Sequence, residues 1–200
     1  MSYKSWVVAG HNPHKQAAFK DLAQRWALQL LPQSHFDNHS VEEDGLTFVE
    51  NALKKARYAS QISGLPALAD DTGLVIESLQ GAPGLYSGRY GEWAQGTASD
   101  DHTNRQLVLN QLAQRPQSDR KAYLITTLVW LASPQDPEPK IVTARWHGDI
   151  LKQERTSHGV GYDPIFWLPQ HLKTPSEMTL SEKHRLDQRA QAFEQLMRLF

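Results

Sequence analysis

Cysteine is absent from this 200-residue chain. That excludes a disulfide framework, a thiolate nucleophile and a thiolate zinc site, and it suits a reducing, cytoplasmic compartment. Long apolar runs are also missing. The first one, Trp6 to Ala9, ends at the polar His11-Asn12; it is too short for a secretory leader and far below the roughly 20 residues of a spanning helix. No membrane partner is expected. Charge of one sign is not in excess, with 21 Lys and Arg against 22 Asp and Glu and a formal net charge of −1. Without a basic block, a nucleic-acid backbone is excluded as the main partner, so any polyanion bound should be small. Neither Gly-x-x-x-x-Gly-Lys-Ser/Thr nor Gly-x-Gly-x-x-Gly occurs, so the common phosphate loops do not account for the lysines and glycines present. No repeat, low-complexity tract or linker divides the chain. Residues 1–200 are therefore expected to form one domain, burying roughly 70% of the unfolded surface.

The patterning places the polar residues on elements. Trp6-Val7-Val8-Ala9 predicts a buried strand, and Asn12-Pro13 a helix start, with Phe19, Leu22, Ala23 and Trp26 at helical spacing. Lys15 then sits in the first helical turn, where the helix dipole disfavours a cation, so an anionic ligand explains it better than helix stability does. Thr47-Phe48-Val49-Glu50 has the form of a capping box, and the helix it opens runs to Gly64 with Asn51, Lys55 and Tyr58 on one face. Leu65 to Ala69 and Leu74 to Leu79 are expected as two strands flanking a turn at Asp70-Asp71-Thr72-Gly73, with a further turn at Gly81-Ala82-Pro83-Gly84. Asp100 or Asp101 caps a helix carrying Leu107, Val108 and Leu112. Tyr123 to Leu131 and Ile141 to Trp146 form a hairpin, and 181–200 reads as one amphipathic helix. An antiparallel hairpin among interleaved helices and strands predicts a mixed α/β sheet.

Taken singly, the motifs are weak. Asp70-Asp71-Thr72-Gly73 reads equally as a polar turn, and Lys54 and Lys55 as a solvated helix face. Their company is more telling. Glu42-Glu43-Asp44-Gly45 precedes the capped helix, and Mg²⁺ takes one or two carboxylates plus phosphate oxygens. Gly159 to Phe166 joins flexible glycines, an aromatic and a carboxylate, as a wall of a base pocket would.

Asn12-Pro13-His14-Lys15, the Glu43–Arg57 block, Pro66 to Gly73, Gly81 to Gly84 with Tyr86-Ser87-Gly88-Arg89-Tyr90, Gly161 to Phe166 and Glu182-Lys183 occur in order over nearly the whole chain. Together they resemble the inosine/xanthosine triphosphate pyrophosphatase family. The resemblance implies an elongated mixed α/β sheet flanked by helices, two lobes with the active-site cleft between them, and a homodimer. It implies Mg²⁺ held by Glu43 and Asp71, with Asp71 taking a proton from the attacking water. The loop Gly10, His11, Asn12, Pro13, His14 and Lys15 would meet the phosphates, with Lys55 and Lys183 closing on them. Thr72, at a position usually held by Ser, would touch substrate. Val160, Gly161, Tyr162, Asp163, Gln188 and Arg189 would surround a purine.

Departures fall at Gly10-His11, where the family has Thr-Gly, at Val160, where it has an aromatic, and at Gln188, where it has His. The implied reaction is hydrolysis of ITP, dITP or XTP to the monophosphate and pyrophosphate. The alternatives are a pyrophosphatase retuned to another modified nucleotide and a nucleotide-binding protein without hydrolysis.

Overall fold

A computed structural model describes residues 5–98, 100–115, 117 and 119–200. The polar start Met1–Lys4 lies outside them. The described residues form six strands and six α-helices in the order β1 (Ser5–Val8), α1 (Pro13–Gln24), β2 (Gln29–Pro32), α2 (Phe48–Ser63), β3 (Ala67–Ile76), α3 (Tyr90–Gln95), α4 (Asp101–Ala113), β4 (Lys121–Leu131), β5 (Lys140–Ile150), β6 (Phe166–Trp167), α5 (Leu180–Leu186) and α6 (Gln188–Met197). The strands form one sheet in the order β2-β1-β3-β4-β5-β6. β1 runs parallel to both β2 and β3, while β5 and β6 are antiparallel. The sheet is mixed, as the pattern predicts. β4 and β5 are neighbours joined only by 132–139, too short for the dozen or so residues of a parallel crossover, which makes them the expected hairpin.

The two helix starts form as their sequences dictate. Asn12 Oδ1 accepts from the N–H groups of His14 and Lys15 at 3.0 and 3.1 Å, with Pro13 in the first helical position. Thr47 Oγ1 accepts from Glu50 N–H at 3.2 Å, and the Glu50 carboxylate returns to Leu46 N–H at 2.8 Å. α2 ends on Gly64 in the left-handed region.

Two compact units divide the chain: 1–71 with 126–144 and 189–200, and 72–125 with 145–188. In the first, side chains alternate across the sheet. Val7, Ala9, Ala67, Ala69, Val129 and Leu131 face Ala52, Ala56 and Ala59 of α2, whose small residues let helix and sheet approach closely. Their neighbours Trp6, Val8, Leu68, Leu128 and Trp130 point the other way, onto Phe19 and Leu22 of α1 and Phe193 and Leu196 of α6. In the second unit Leu74 and Ile76 of β3 pack with Val108, Leu109 and Leu112 of α4, Tyr90, Trp146, Tyr162 and Phe166.

Three expectations are corrected. Asp70 to Gly73 is not a turn between two strands but the middle of β3, because both carboxylates are buried and find lysine partners, and the turn tendency of Asp and Gly is overridden. The C-terminal segment is two helices, since Asp187 adopts an extended conformation and Thr179 opens α5 with its own capping box to Glu182. β2 is a strand the patterning did not indicate.

Phe19 and Phe193 are fully buried with ring centroids 6.1 Å apart. Replacing either by Ala should cost ~3–5 kcal/mol in urea unfolding. The double replacement should cost less than the sum, because the two rings share one cavity.

Candidate active site

The alternation of β3 decides where its acids go. Asp70 shares a face with Leu68, toward α1, and Asp71 shares a face with Ala67 and Ala69, toward α2. Each meets a lysine from the helix on its side. Lys15 Nζ of α1 lies 2.8 Å from Asp70 Oδ2. Lys55 Nζ of α2 lies 3.4 Å from Asp71 Oδ1 and 2.8 Å from Glu43 Oε1, and so bridges the two carboxylates. Asn51, one turn before Lys55, donates to Asp71 Oδ2 at 3.3 Å. The helix face predicted for Asn51, Lys55 and Tyr58 is therefore the one turned to the acids, with Tyr58 donating to Asp37.

The loop that brings Glu43 is held by Gly45. Its N–H donates to Asn51 Oδ1 at 2.8 Å, and a Cβ there would lie 2.6 Å from that same oxygen. Only glycine allows this approach.

Electrostatics separates the neighbouring acids. Burial opposes ionisation of Asp70, yet Lys15, Arg189 and Lys55 together hold its carboxyl well below the usual range. Burial pushes Asp71 up, and Glu43 adds to this against the opposing pull of Lys55. Lys55 loses solvation but is held in its charged form by Asp71, Asp70 and Glu43.

A cavity of ≈ 270 Å³ opens beside these groups, lined among others by Asn12, Lys15, Gln33, Glu43, Lys55 and Asp70. It is near the lower end of ligand pockets and suits a polyphosphate better than a whole nucleotide. Gln33, 2% exposed, braces its loop. Gln33 Oε1 accepts from Gly10 N–H at 2.9 Å, and its Nε2 donates to His39 O at 2.8 Å. His11 Nε2 is 3.2 Å from that same carbonyl. His11 lines the cavity, whereas Pro13 and His14 are exposed at the helix start. Arg189 lies over the Phe19 ring, 5.8 Å from its centroid, on the Asp70 side of the first unit.

In the second unit, Gly161, Tyr162 and Asp163 form a tight turn in which Asp163 N–H donates to Val160 O at 3.1 Å. Burial raises the Asp163 carboxyl even though Lys183 pairs with it. Tyr162 is 6% exposed, donates its hydroxyl to Ser87 O at 2.9 Å and is pushed far up by burial. Val160 is 39% exposed. Gln188 is buried, and its Oε1 has no hydrogen-bond partner among the described residues. Thr72 follows Asp71 in β3 and is half-buried.

Sequence reasoning missed Asp70 as the partner of Lys15, Asn51 as a donor to Asp71, and Gln33. Only Asn51 carried a signal, one helical turn before Lys55.

A mixed α/β sheet whose buried acids meet lysines from the helices on its two faces, beside a cavity lined by Asn12, Lys15, Glu43, Lys55 and Asp70, defines the class of α/β proteins with a charged site at the sheet. More narrowly, the Ham1 family profile matches residues 6–199, and the chain belongs to that family. It is 44% identical over 197 residues to a dITP/XTP pyrophosphatase of Ralstonia nicotianae, covering 97% of this chain and 96% of that protein. Its structure is similar to that of a HAM1 protein from Coxiella burnetii, with TM-score 0.87, 39% identity and coverage of 98% and 97%. It is also similar to a nucleoside-triphosphatase/dITP/XTP pyrophosphatase from Mycobacterium abscessus, with TM-score 0.75, 32% identity and coverage of 96% and 98%.

The Lys15–Asp70 pair can be tested apart from activity. Lys15→Met leaves Asp70, 4% exposed, without its nearest counter-charge and should cost about 3 kcal/mol in chemical unfolding. Adding Asp70→Asn should recover most of the loss.

Proposed function

We propose that this protein hydrolyses non-standard purine nucleoside triphosphates, ITP, dITP and XTP, to the monophosphate and pyrophosphate. The observation that carries this is Asp71: a buried carboxylate with raised proton affinity, held by Asn51 and Lys55 and joined through Lys55 to Glu43. Family membership and the dITP/XTP pyrophosphatases among its relatives support the same reading.

Water attacks the α-phosphorus and pyrophosphate leaves. Asp71 takes the water proton, and burial makes it a stronger acceptor than a solvated carboxylate. Lys15 and Lys55 neutralise charge that develops on the phosphate oxygens, and the loop Gly10–Lys15 places the positive end of the α1 dipole beside them. Lys183 adds a third cation.

Among the described residues no group of three or more His, Cys, Asp or Glu converges on one point as a metal cage. Two hard carboxylates, Glu43 and Asp71, do share a lysine. That donor set fits Mg²⁺, which completes its shell with water and substrate phosphates. When bound there, Mg²⁺ would supply charge neutralisation and a lowered pKa for water.

The purine is assigned to 160–163 with Gln188 and Arg189. A 6-oxo group accepts from Arg189 and from backbone N–H groups, whereas a 6-amino group sets donor against donor. The partnerless Gln188 Oε1 is an acceptor that an N–H of a base edge can satisfy. The working form is a homodimer of 1–200 domains in the cytoplasm. None of the helices in the described residues is long and apolar enough to cross a membrane.

Pyrophosphate release should be measured over a panel of triphosphates with Mg²⁺. Asp71→Asn should lose at least ~100-fold in kcat while nucleotide still binds; a wild-type rate removes Asp71 from the chemistry. Ala at Lys15 or Lys55 should weaken triphosphate about tenfold or more, and the monophosphate far less, because charge-assisted phosphate bonds are lost. Equal losses for both would place the lysines away from the β- and γ-phosphates.

Specificity has its own test. Val160 presents aliphatic surface where the family resemblance implies a ring, and Gln188 both donates and accepts. A stacking ring is worth roughly 1–3 kcal/mol, so Val160→Phe with Gln188→His should widen the kcat/KM preference for ITP over ATP. An unchanged or smaller ratio would show that other residues choose the base.

A further inference from the structure

We infer that Asp101 and Arg105, on the first turns of α4, are positioning residues that clamp the Gly161 peptide and thereby set the shape of the base-reading turn. The inference rests on the reading of residues 160–163 as the purine pocket, and it adds to that reading a pair of residues that touch no substrate.

The clamp is defined on both sides of one residue. Gly161 N–H donates to Asp101 Oδ2 at 2.7 Å, and Gly161 O accepts from Arg105 Nη1 at 2.8 Å. Both bonds are charge-assisted and hence among the stronger kind. The turn needs such help, because Gly161 sits at φ +56°, in the left-handed region. Glycine can occupy that region but can also leave it freely, so its own preference does not hold the turn.

Arg105 is fixed in its turn. It is 7% exposed, and its Nε lies 3.3 Å from Glu154 Oε1, a carboxylate that also accepts from Gln106 Nε2 at 2.9 Å. The guanidinium cannot swing away without giving up its ion pair with Glu154, which Gln106 and His102 also hold in place. The next residue is anchored from another side, where the Tyr162 hydroxyl bonds to Ser87 O and Ser87 Oγ bonds to Gly84 O at 2.6 Å. Residues 161 and 162 are thus tied down by α4 and by the segment before α3, while Val160 remains exposed at the mouth of the turn.

Asp101 already takes the Gly161 N–H, so that amide is not the donor to a purine oxygen. Its work is to orient its neighbours.

Loss of the clamp should therefore loosen base choice and leave the phosphate chemistry intact. Arg105→Met alone would also remove the ion pair with Glu154, so the informative variant of the full chain is Arg105→Met with Glu154→Gln. Its ITP-to-ATP ratio of kcat/KM should fall roughly three- to tenfold, the worth of about one hydrogen bond, through a raised KM for ITP with kcat changed less than about twofold. Arg105→Lys, which can still donate to Gly161 O, should recover most of the ratio. Asp101→Asn, which keeps an acceptor, should exceed Asp101→Ala.

Equal loss of kcat on every triphosphate with a lowered melting temperature would show a merely structural role and overturn the proposal. So would an unchanged ratio in the Arg105 variant while Val160→Phe/Gln188→His moves it, and in that case the base-pocket reading survives. If neither variant moves the ratio, the base-pocket reading falls and the clamp falls with it.

Discussion

Two carboxyl groups at consecutive positions in the middle of a buried strand are the constraint around which the first unit is organised. A strand sends neighbours to opposite faces, so Asp70 and Asp71 cannot share one counter-ion from one side. Each needs its own cation, and the helix covering each face supplies it: Lys15 from α1 and Lys55 from α2. Taking such charges out of water costs several kcal/mol per ion, which the pairing only partly offsets. The alanine face of α2 and the aromatic packing under α1 and α6 therefore have to stabilise the region around a pair of acids that destabilises it. Sites of this kind commonly trade stability for function.

The two acids are unequal for the same reason. Asp70 has Lys15, Arg189 and Lys55 around it and stays firmly ionised. Asp71 shares Lys55 with Glu43, so each carboxylate receives only part of that cation's compensation and burial prevails. A shared lysine leaves one acid under-compensated, and an under-compensated acid is the one able to accept a proton or a metal. A change that gave Asp71 its own cation would quiet the site even with every acid retained.

What was legible in the sequence follows from the range of the physics. Caps act within a few residues, and Asn12-Pro13 and Thr47-x-x-Glu50 with Gly64 could be read directly. So could the helix face of Asn51 and Lys55. The turn assigned to Asp70-Asp71-Thr72-Gly73 failed because local preference favours a turn there, while the partners that hold those residues extended lie at 15, 51 and 55, beyond any local window. The break at Asp187 escaped notice because the apolar stripe of 186–200 continues across it. β2 escaped because Gln29–Pro32 is short and half-buried, with no alternation to read. Gln33 has no signature at all: a glutamine that closes a loop looks like any other glutamine.

Among the resembled blocks, the departures fall at Gly10-His11, at Val160 and at Gln188, while Glu43, Asp71 and the three lysines are kept. The physics of the two groups explains why change is tolerated unevenly. Removing one member of a buried charge set strands the others and endangers the fold, so those positions cannot drift singly. Val160, exposed at a turn whose shape is held from behind by Asp101 and Arg105, can change its side chain without disturbing the backbone that carries it. Gln188 needs only to offer a suitable polar edge. A scaffold that fixes the turn through main-chain bonds leaves the side chains at its mouth free to vary while the buried charge set of the first unit stays in place.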